Sequence, residues 1–141
     1  MKNVLFALLT IIAFHGFTQE SDEWTLFNSI SGVEFYHKET DCVPKNIPSQ
    51  VGLLIKVINT NNYKVEASWN LRIWYDEVEQ TTNIRDEENH ISLVLDKKSS
   101  VAGVCETPTG DLYIFKKFTL YSGGVQMSNF SFDELTIKKI R

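Results

Sequence analysis

Hydrophobic and polar residues alternate most regularly between Tyr63 and Asp76. Every second residue from Val65 to Tyr75 is apolar, and five of the six residues at the other positions are polar. A period of two places one face of a strand in a core and the other toward solvent. The pattern predicts a half-buried strand with Trp69 on its inner face and Trp74 as the one aromatic residue on its polar face.

The segment before this strand is apolar on both faces. Val51–Ile58 is rich in β-branched residues, which is typical of a central strand. The polar residues Asn59–Asn62 follow it and tolerate turn geometry. We therefore predict that Val51–Ile58 and Tyr63–Asp76 form a β-hairpin.

Six further segments have shorter strand patterns bounded by turn-forming residues: Trp24–Phe27, Val33–His37, Ile91–Leu95, Val101–Cys105, Leu112–Tyr121 and Phe130–Ile140. The last two lose their phase at Lys116-Lys117 and at Asp133-Glu134, where we expect β-bulges or bends. Seven or eight short strands joined by local turns favour an all-β, antiparallel, immunoglobulin-like β-sandwich. A small β-barrel is the alternative, because strand number alone does not separate the two architectures.

The composition indicates one domain. The chain has 141 residues, of which 43% are hydrophobic, and a formal net charge of −4. Domains typically hold about 100–150 residues, and this apolar content is too high for a disordered chain. The acidic balance argues against a general affinity for nucleic acid, which needs a basic surface.

The N-terminal segment has the features of an export signal. Lys2 supplies a positive charge, an apolar run follows it, and Gly16 and Thr18 are the small residues that a signal peptidase requires. The apolar run is too short to span a bilayer, which takes about 20 residues. We predict a signal peptide at Met1–Thr18 and one domain over 19–141, located in the periplasm, at the cell surface or in the medium. No transmembrane segment is predicted in the mature chain.

Cys42 and Cys105 are the only cysteines. An oxidising compartment makes a disulfide between them the expected state. Closing a loop of about 60 residues would stabilise the fold by on the order of 4 kcal/mol. A redox-active or nucleophilic thiol is the alternative, but the sequence has no Cys-x-x-Cys motif.

The order of the strand and turn motifs carries a resemblance. The motifs are Val33–Tyr36 followed by Cys42, Asn59–Val65 followed by Ser68–Tyr75, and Ser92–Leu95 followed by Gly103–Cys105. With these motifs the chain resembles a loose, uncharacterised set of small exported immunoglobulin-like sandwich proteins of Bacteroidota. The resemblance implies a sandwich fold and an export route, and it brings no active site with it.

The sequence lacks the common catalytic motifs. The predicted mature chain has two histidines, His37 and His90, and no Gly-x-Ser-x-Gly, His-Glu-x-x-His, P-loop or dinucleotide-binding pattern. We therefore predict a protein that is not an enzyme and has no cofactor. Its expected role is that of a binding or interaction module for a protein or glycan partner.

Aromatic residues form the first candidate binding site. Trp74 lies two positions after Arg72, and Tyr113, Phe115 and Tyr121 share one phase of a later strand if no bulge intervenes. Exposed rings in a row stack on sugar rings, and aromatic residues with Arg recur at protein-binding hot spots. Alternatively, the following loop covers Trp74 and the other rings belong to the core.

The polar segment Glu77–Asn89 is the second candidate. It exceeds the usual length of a hairpin connection, and long loops on a rigid scaffold often hold binding sites. Its carboxylates could surround Ca²⁺, with Asp76, Glu77, Glu79, Asp86, Glu87 and Glu88 as candidate ligands. A solvated acidic loop is the alternative, since no EF-hand spacing is present.

Two small basic clusters occur in this acidic chain, Lys116-Lys117 and Lys138-Lys139 with Arg141. Lysines at a strand edge commonly prevent edge-to-edge pairing. We interpret both clusters in this way, with an anionic glycan or partner as the alternative.

Overall fold

The computed structural model describes residues 23–80, 89–107 and 110–141. It contains nine strands: β1 (Thr25–Ile30), β2 (Val33–Cys42), β3 (Gln50–Asn59), β4 (Val65–Tyr75), β5 (Val78–Glu79), β6 (His90–Leu95), β7 (Ser100–Ala102), β8 (Tyr113–Phe118) and β9 (Met127–Lys139). The predicted signal peptide at Met1–Thr18 and the candidate ligands Asp86, Glu87 and Glu88 lie outside the described residues. In the described ranges, no helix is long and apolar enough to cross a membrane.

The strands form two antiparallel sheets. In the first, β1, β2 and β3 lie side by side in chain order, and β7 and β8 pair with the other edge of β3. In the second, β9 pairs with β4 along nearly its whole length, while β5 and β6 share the opposite edge of β4. No strand of the described chain pairs across the two sheets. The prediction of an all-β antiparallel sandwich is confirmed, with the short β5 as the strand that the pattern did not predict.

Apolar side chains of both sheets meet in one core. Trp69 on β4 is fully buried, which confirms the inner face predicted for this strand. Its ring stacks on that of Phe132 from β9, with centroids 4.8 Å apart. The ring of Phe27 meets those of Phe130 and Phe132 edge-on, so the side of the core between β1 and β9 is aromatic.

Both predicted bulges are present. Lys116 is the extra residue of β8, opposite the step from Val51 to Gly52 on β3. On β9 the register shifts at Glu134, whose φ is +53°. The shift lets Phe132 and Leu135 both pack on the core although an odd number of positions separates them in sequence. A bulge therefore explains each loss of phase.

The hairpin predicted for β3 and β4 is wrong, because the two strands belong to different sheets. Their connection crosses from one sheet to the other next to the fully buried Asn59. The Asn59 side-chain amide donates to the carbonyl oxygens of Tyr63 and Asp96, each at 2.9 Å, and its Oδ1 accepts from the backbone nitrogen of Asn61 at 3.0 Å. These bonds satisfy backbone groups that lack a strand partner at the crossing.

Cys42 and Cys105 form the predicted disulfide. Cys42 ends β2, and Cys105 lies in the connection between β7 and β8. The bond ties this connection to β2, and Cys42 shares a second small cluster with Leu54 and Tyr113. The disulfide therefore helps to cover apolar side chains on the outer face of the first sheet.

Candidate functional site

Three connections lie side by side at one end of the sandwich. They are residues 43–49 between β2 and β3, the turn Asp76-Glu77 between β4 and β5, and residues 119–126 between β8 and β9. The backbone nitrogen and the hydroxyl of Thr119 both donate to the carbonyl oxygen of Ser49, at 3.0 Å. The backbone nitrogen of Asp76 donates to the carbonyl oxygen of Gln126 at 2.9 Å. Backbone hydrogen bonds thus hold the three connections together.

The most exposed large apolar side chains of the described residues lie at this end. Leu120 is 79% exposed, Val43 is 77% exposed and Tyr121 is 63% exposed. Ile47 and Val125 are exposed on the same connections. We call these five residues the apolar end. Single exposed apolar residues are normal on a surface, but five on connections that are hydrogen-bonded to one another are a candidate interaction site.

Consecutive ring contacts connect the exposed Tyr121 to aromatic residues of β8 and β4. The Tyr75 hydroxyl donates to the carbonyl oxygen of Phe115 at 2.7 Å, and burial raises the pKa of this tyrosine. The rings of Phe115 and Phe118 lie 4.9 Å apart, and that of Tyr121 meets Phe118 edge-on at 6.0 Å. A shallow groove of about 520 Å³ runs along Phe118, Leu120, Tyr121, Ser122, Gly123 and Gly124. The connection 119–126 therefore packs on aromatic side chains through Tyr121, while Leu120 stays exposed.

The turn Asp76-Glu77 borders the apolar end. Both residues have positive φ, +48° and +67°, as in a two-residue type I′ turn. The backbone nitrogen of Gln126 donates to Oδ1 of Asp76 at 3.3 Å, and that of Glu77 donates to Oγ of Ser128 at 2.9 Å. Glycine adopts the positive φ of the second turn position with less strain than other residues do, but this chain has Glu77 there. The turn thus presents two exposed carboxylates beside the loop that carries Val125.

Arg72 and Trp74 lie on the outer face of the second sheet. The guanidinium carbon of Arg72 is 5.5 Å from the centroid of the Trp74 ring. Arg72 also donates to both carboxylate oxygens of Glu79, through Nε and through Nη2 at 2.6 Å, and to Oδ2 of Asp133 at 2.9 Å. These hydrogen bonds hold the pKa of Asp133 below its usual value and raise the pKa of Arg72. Arg72 therefore packs on the Trp74 ring and pairs with two carboxylates.

The structure does not bring the predicted aromatic residues into one exposed row. Tyr113 and Phe115 lie on the first sheet, whereas Trp74 lies on the second, and Tyr121 follows the end of β8. Tyr113 is 6% exposed, and its hydroxyl accepts a hydrogen bond from Nε2 of Gln50 at 2.6 Å. Burial raises the pKa of Tyr113. Tyr121 alone of these residues lies at the apolar end.

The described calcium candidates have separate roles. Asp76 and Glu77 form the tight turn, and Glu79 is hydrogen-bonded to Arg72. Over the described ranges, no three His, Cys, Asp or Glu side chains come together as metal ligands would. The remaining candidates, Asp86, Glu87 and Glu88, lie outside those ranges.

The lysine clusters lie on strands, as expected. Lys116 forms an ion pair with Glu39 of β2. Lys138 and Lys139 lie on β9, which pairs with β4 alone among the described strands, and Lys139 stacks on the ring of Tyr63 at 4.6 Å. The lysines of both clusters thus lie on strands that pair with a single described strand, and their role in preventing edge-to-edge pairing stays a prediction.

Sequence reasoning missed four of the five residues of the apolar end, namely Val43, Ile47, Leu120 and Val125. The strand pattern assigned Leu120 to the end of a strand, whereas β8 ends at Phe118. A signal was available, because apolar residues stand beside Pro44, Pro48 and the Gly123-Gly124 pair. Large apolar residues in such turn-forming segments have no strand face through which to enter the core.

Comparison of the chain with protein-family models, curated proteins and solved structures finds no significant match. The geometry of the apolar end is therefore the basis for a functional proposal.

Proposed function

We propose that this protein is an exported, non-catalytic interaction module that docks through the apolar end on an apolar surface of another protein. The observation that carries the proposal is the exposure of Val43, Leu120 and Tyr121 on hydrogen-bonded connections of a rigid sandwich. Burial of apolar surface contributes roughly 25 cal/mol per Å², so these side chains gain free energy when a partner covers them. Connections at one end of a sandwich serve the same purpose in antibody variable domains.

The chemistry of the apolar end suits the burial of surface. Its three connections supply aliphatic and aromatic side chains and contain no histidine or cysteine. Tyrosine is enriched in the centres of protein interfaces because its ring is large and rigid. Tyr121, which packs on Phe118, is the expected anchor of the interface.

The predicted signal peptide at Met1–Thr18 supports the exported location. The disulfide between Cys42 and Cys105 is compatible with an oxidising compartment, where such bonds persist. In this setting a small domain meets partners of the envelope or of the surrounding medium.

Site-specific photo-crosslinking tests the proposal. A benzophenone amino acid replaces Tyr121 in the full chain, which is expressed in its source cells and irradiated. The matched control places the same amino acid at Val94, which is 61% exposed on β6. We expect one discrete protein adduct from position 121 and none of that size from position 94.

A second pair of variants tests the apolar contact itself. Leu120→Ser in the Tyr121 crosslinking chain should strongly reduce the adduct, whereas Val94→Ser should leave it unchanged. Both changes affect exposed side chains, so stability should change by no more than about 0.5 kcal/mol. The same adducts from both crosslinking positions, or none from position 121, would refute docking through the apolar end.

A further inference from the structure

We further propose that the partner carries lysine or arginine side chains beside its apolar surface, and that these face Asp76 and Glu77. This inference rests on the proposed docking through the apolar end. It adds that the partner surface is positively charged at one border and that the turn Asp76-Glu77 binds this charge.

Charge is unevenly distributed around the apolar end. The connection 119–126 contains no charged residue, and 43–49 contains Lys45 alone. The turn on the other side contributes two carboxylates, and neither forms an ion pair within the described part of the chain. One border of the apolar surface is therefore acidic.

Arg72, the cationic residue of β4, forms no ion pair with Asp76 or Glu77. The side chain of Arg72 is held by Glu79 and Asp133, with nitrogen to oxygen distances of 2.6 and 2.9 Å. One side of its guanidinium packs on the ring of Trp74, and Arg72 forms its ion pairs with Glu79 and Asp133 rather than with the turn. The carboxylates of Asp76 and Glu77 are consequently available to a cation that a partner supplies.

The turn is held in place relative to the apolar side chains. Asp76 and Gln126 exchange two hydrogen bonds, from the backbone nitrogen of Asp76 to the carbonyl oxygen of Gln126 at 2.9 Å and from the nitrogen of Gln126 to Oδ1 of Asp76 at 3.3 Å. Val125 immediately precedes Gln126, so the acidic border and the apolar surface form one unit. A partner that covers Val125 must therefore place its own groups beside the carboxylates.

The same charges argue against a lipid surface as the occupant. Loops and helices that enter bilayers combine apolar side chains with lysine and arginine, which attract anionic headgroups. An acidic border would repel such headgroups. Complementary charge on a protein partner instead speeds association and suppresses wrong partners.

The test uses the protein captured by the Tyr121 crosslink, purified as the probe. Its affinity is measured for the wild type and for the Asp76→Asn/Glu77→Gln variant, in which the amide at position 76 retains an oxygen that accepts from Gln126. The control is Glu106→Gln/Asp111→Asn, which removes two exposed carboxylates of the β7–β8 connection. Each exposed ion pair contributes about 2- to 5-fold in affinity, so the turn variant should bind roughly 4- to 25-fold more weakly.

The affinity of the control should stay within about 2-fold of that of the wild type. The difference in affinity between the wild type and the turn variant should shrink at about 0.5 M NaCl, where screening is strong. An unchanged affinity of the turn variant refutes the charged border and leaves the apolar docking in place. The absence of a specific Tyr121 adduct refutes the docking itself. Co-sedimentation of the wild type with phosphatidylethanolamine–phosphatidylglycerol vesicles that is lost in Leu120→Ser would refute both, because it would identify a bilayer as the occupant.

Discussion

The ring of Phe35 meets that of Trp69 edge to face, with the centroids 5.5 Å apart. Phe35 lies on β2 of the first sheet and Trp69 on β4 of the second, and they are the two largest fully buried side chains. An edge-to-face pair contributes about 0.5–1.5 kcal/mol beyond the burial of its surface. This contact joins the two sheets at the centre of the sandwich, so the stability of the whole scaffold depends on it.

Trp69→Ala should lower the free energy of unfolding by about 3–5 kcal/mol, because it leaves a cavity between the sheets. Trp69→Phe should cost clearly less, since it keeps a ring and removes an indole nitrogen that has no hydrogen-bond partner among the described residues. Urea unfolding followed by circular dichroism measures both, with Val94→Ala as the surface control. A loss below about 1 kcal/mol for the alanine variant would contradict the central position of Trp69.

Removal of the disulfide by Cys42→Ala/Cys105→Ala should lower the free energy of unfolding by about 2–5 kcal/mol. The bond joins residues 63 positions apart and therefore restricts the unfolded chain strongly. Amide exchange of the β7–β8 connection should accelerate more than that of β4, because the connection loses its tie to β2. Equal acceleration in both segments would show that the bond stabilises the protein without restraining this connection locally.

Gly103→Ala should destabilise the protein by about 1–3 kcal/mol through overpacking. A Cβ at position 103 would overlap the carbonyl oxygen of Leu112 and lie 2.7 Å from its carbonyl carbon. The backbone cannot easily yield, since the nitrogen of Gly103 donates to the carbonyl oxygen of Ile55 at 2.9 Å. Gly123→Ala is the matched control, as no atom lies within 4 Å of the added Cβ. Thermal melts that shift equally for both variants would exclude this close approach.

The pair formed by Arg72 and Asp133 predicts a pH dependence of stability. The pKa of Asp133 is lowered in the folded state, so its contribution is present above the unfolded value of about 4 and disappears as the pH falls through the folded value. Asp133→Asn should therefore reduce the urea midpoint slightly at pH 7 and leave it unchanged in strong acid. The effect is small, because both side chains are well exposed. A midpoint difference that persists in strong acid would point to lost packing rather than to lost charge.

Local periodicity predicted the strands well. The alternation in β4 placed Trp69 in the core, and the breaks of phase at Lys116 and Glu134 correspond to bulges. These features depend on the sequence of one strand, since each side chain points to one face or the other whatever strand lies next to it. The two-residue β5 was missed because it is too short to show a period.

The pairing of β3 with β4 was predicted wrongly, and the binding role of the candidate residues stays a prediction. The polar residues after β3 predicted a turn within one sheet, whereas Asn59 and its hydrogen bonds lead the chain to the other sheet. The predicted binding residues Trp74 and Tyr113 lie on opposite sheets, and the apolar end was not anticipated apart from Tyr121. Distance along the chain does not indicate which connections meet at one end of a sandwich.

The sequence by itself determined the all-β class, the inner face of β4 and the bulges, because each follows from the alternation of side chains along a single strand. Only the tertiary structure decided that Tyr113 is covered, that Arg72 is engaged, and that Leu120 and Val43 are exposed at the same end of the sandwich. Burial depends on what packs against a side chain, and the packing partners come from distant parts of the chain. The apolar end exists because hydrogen bonds from Thr119 to Ser49 and between Asp76 and Gln126 bring three separate connections together.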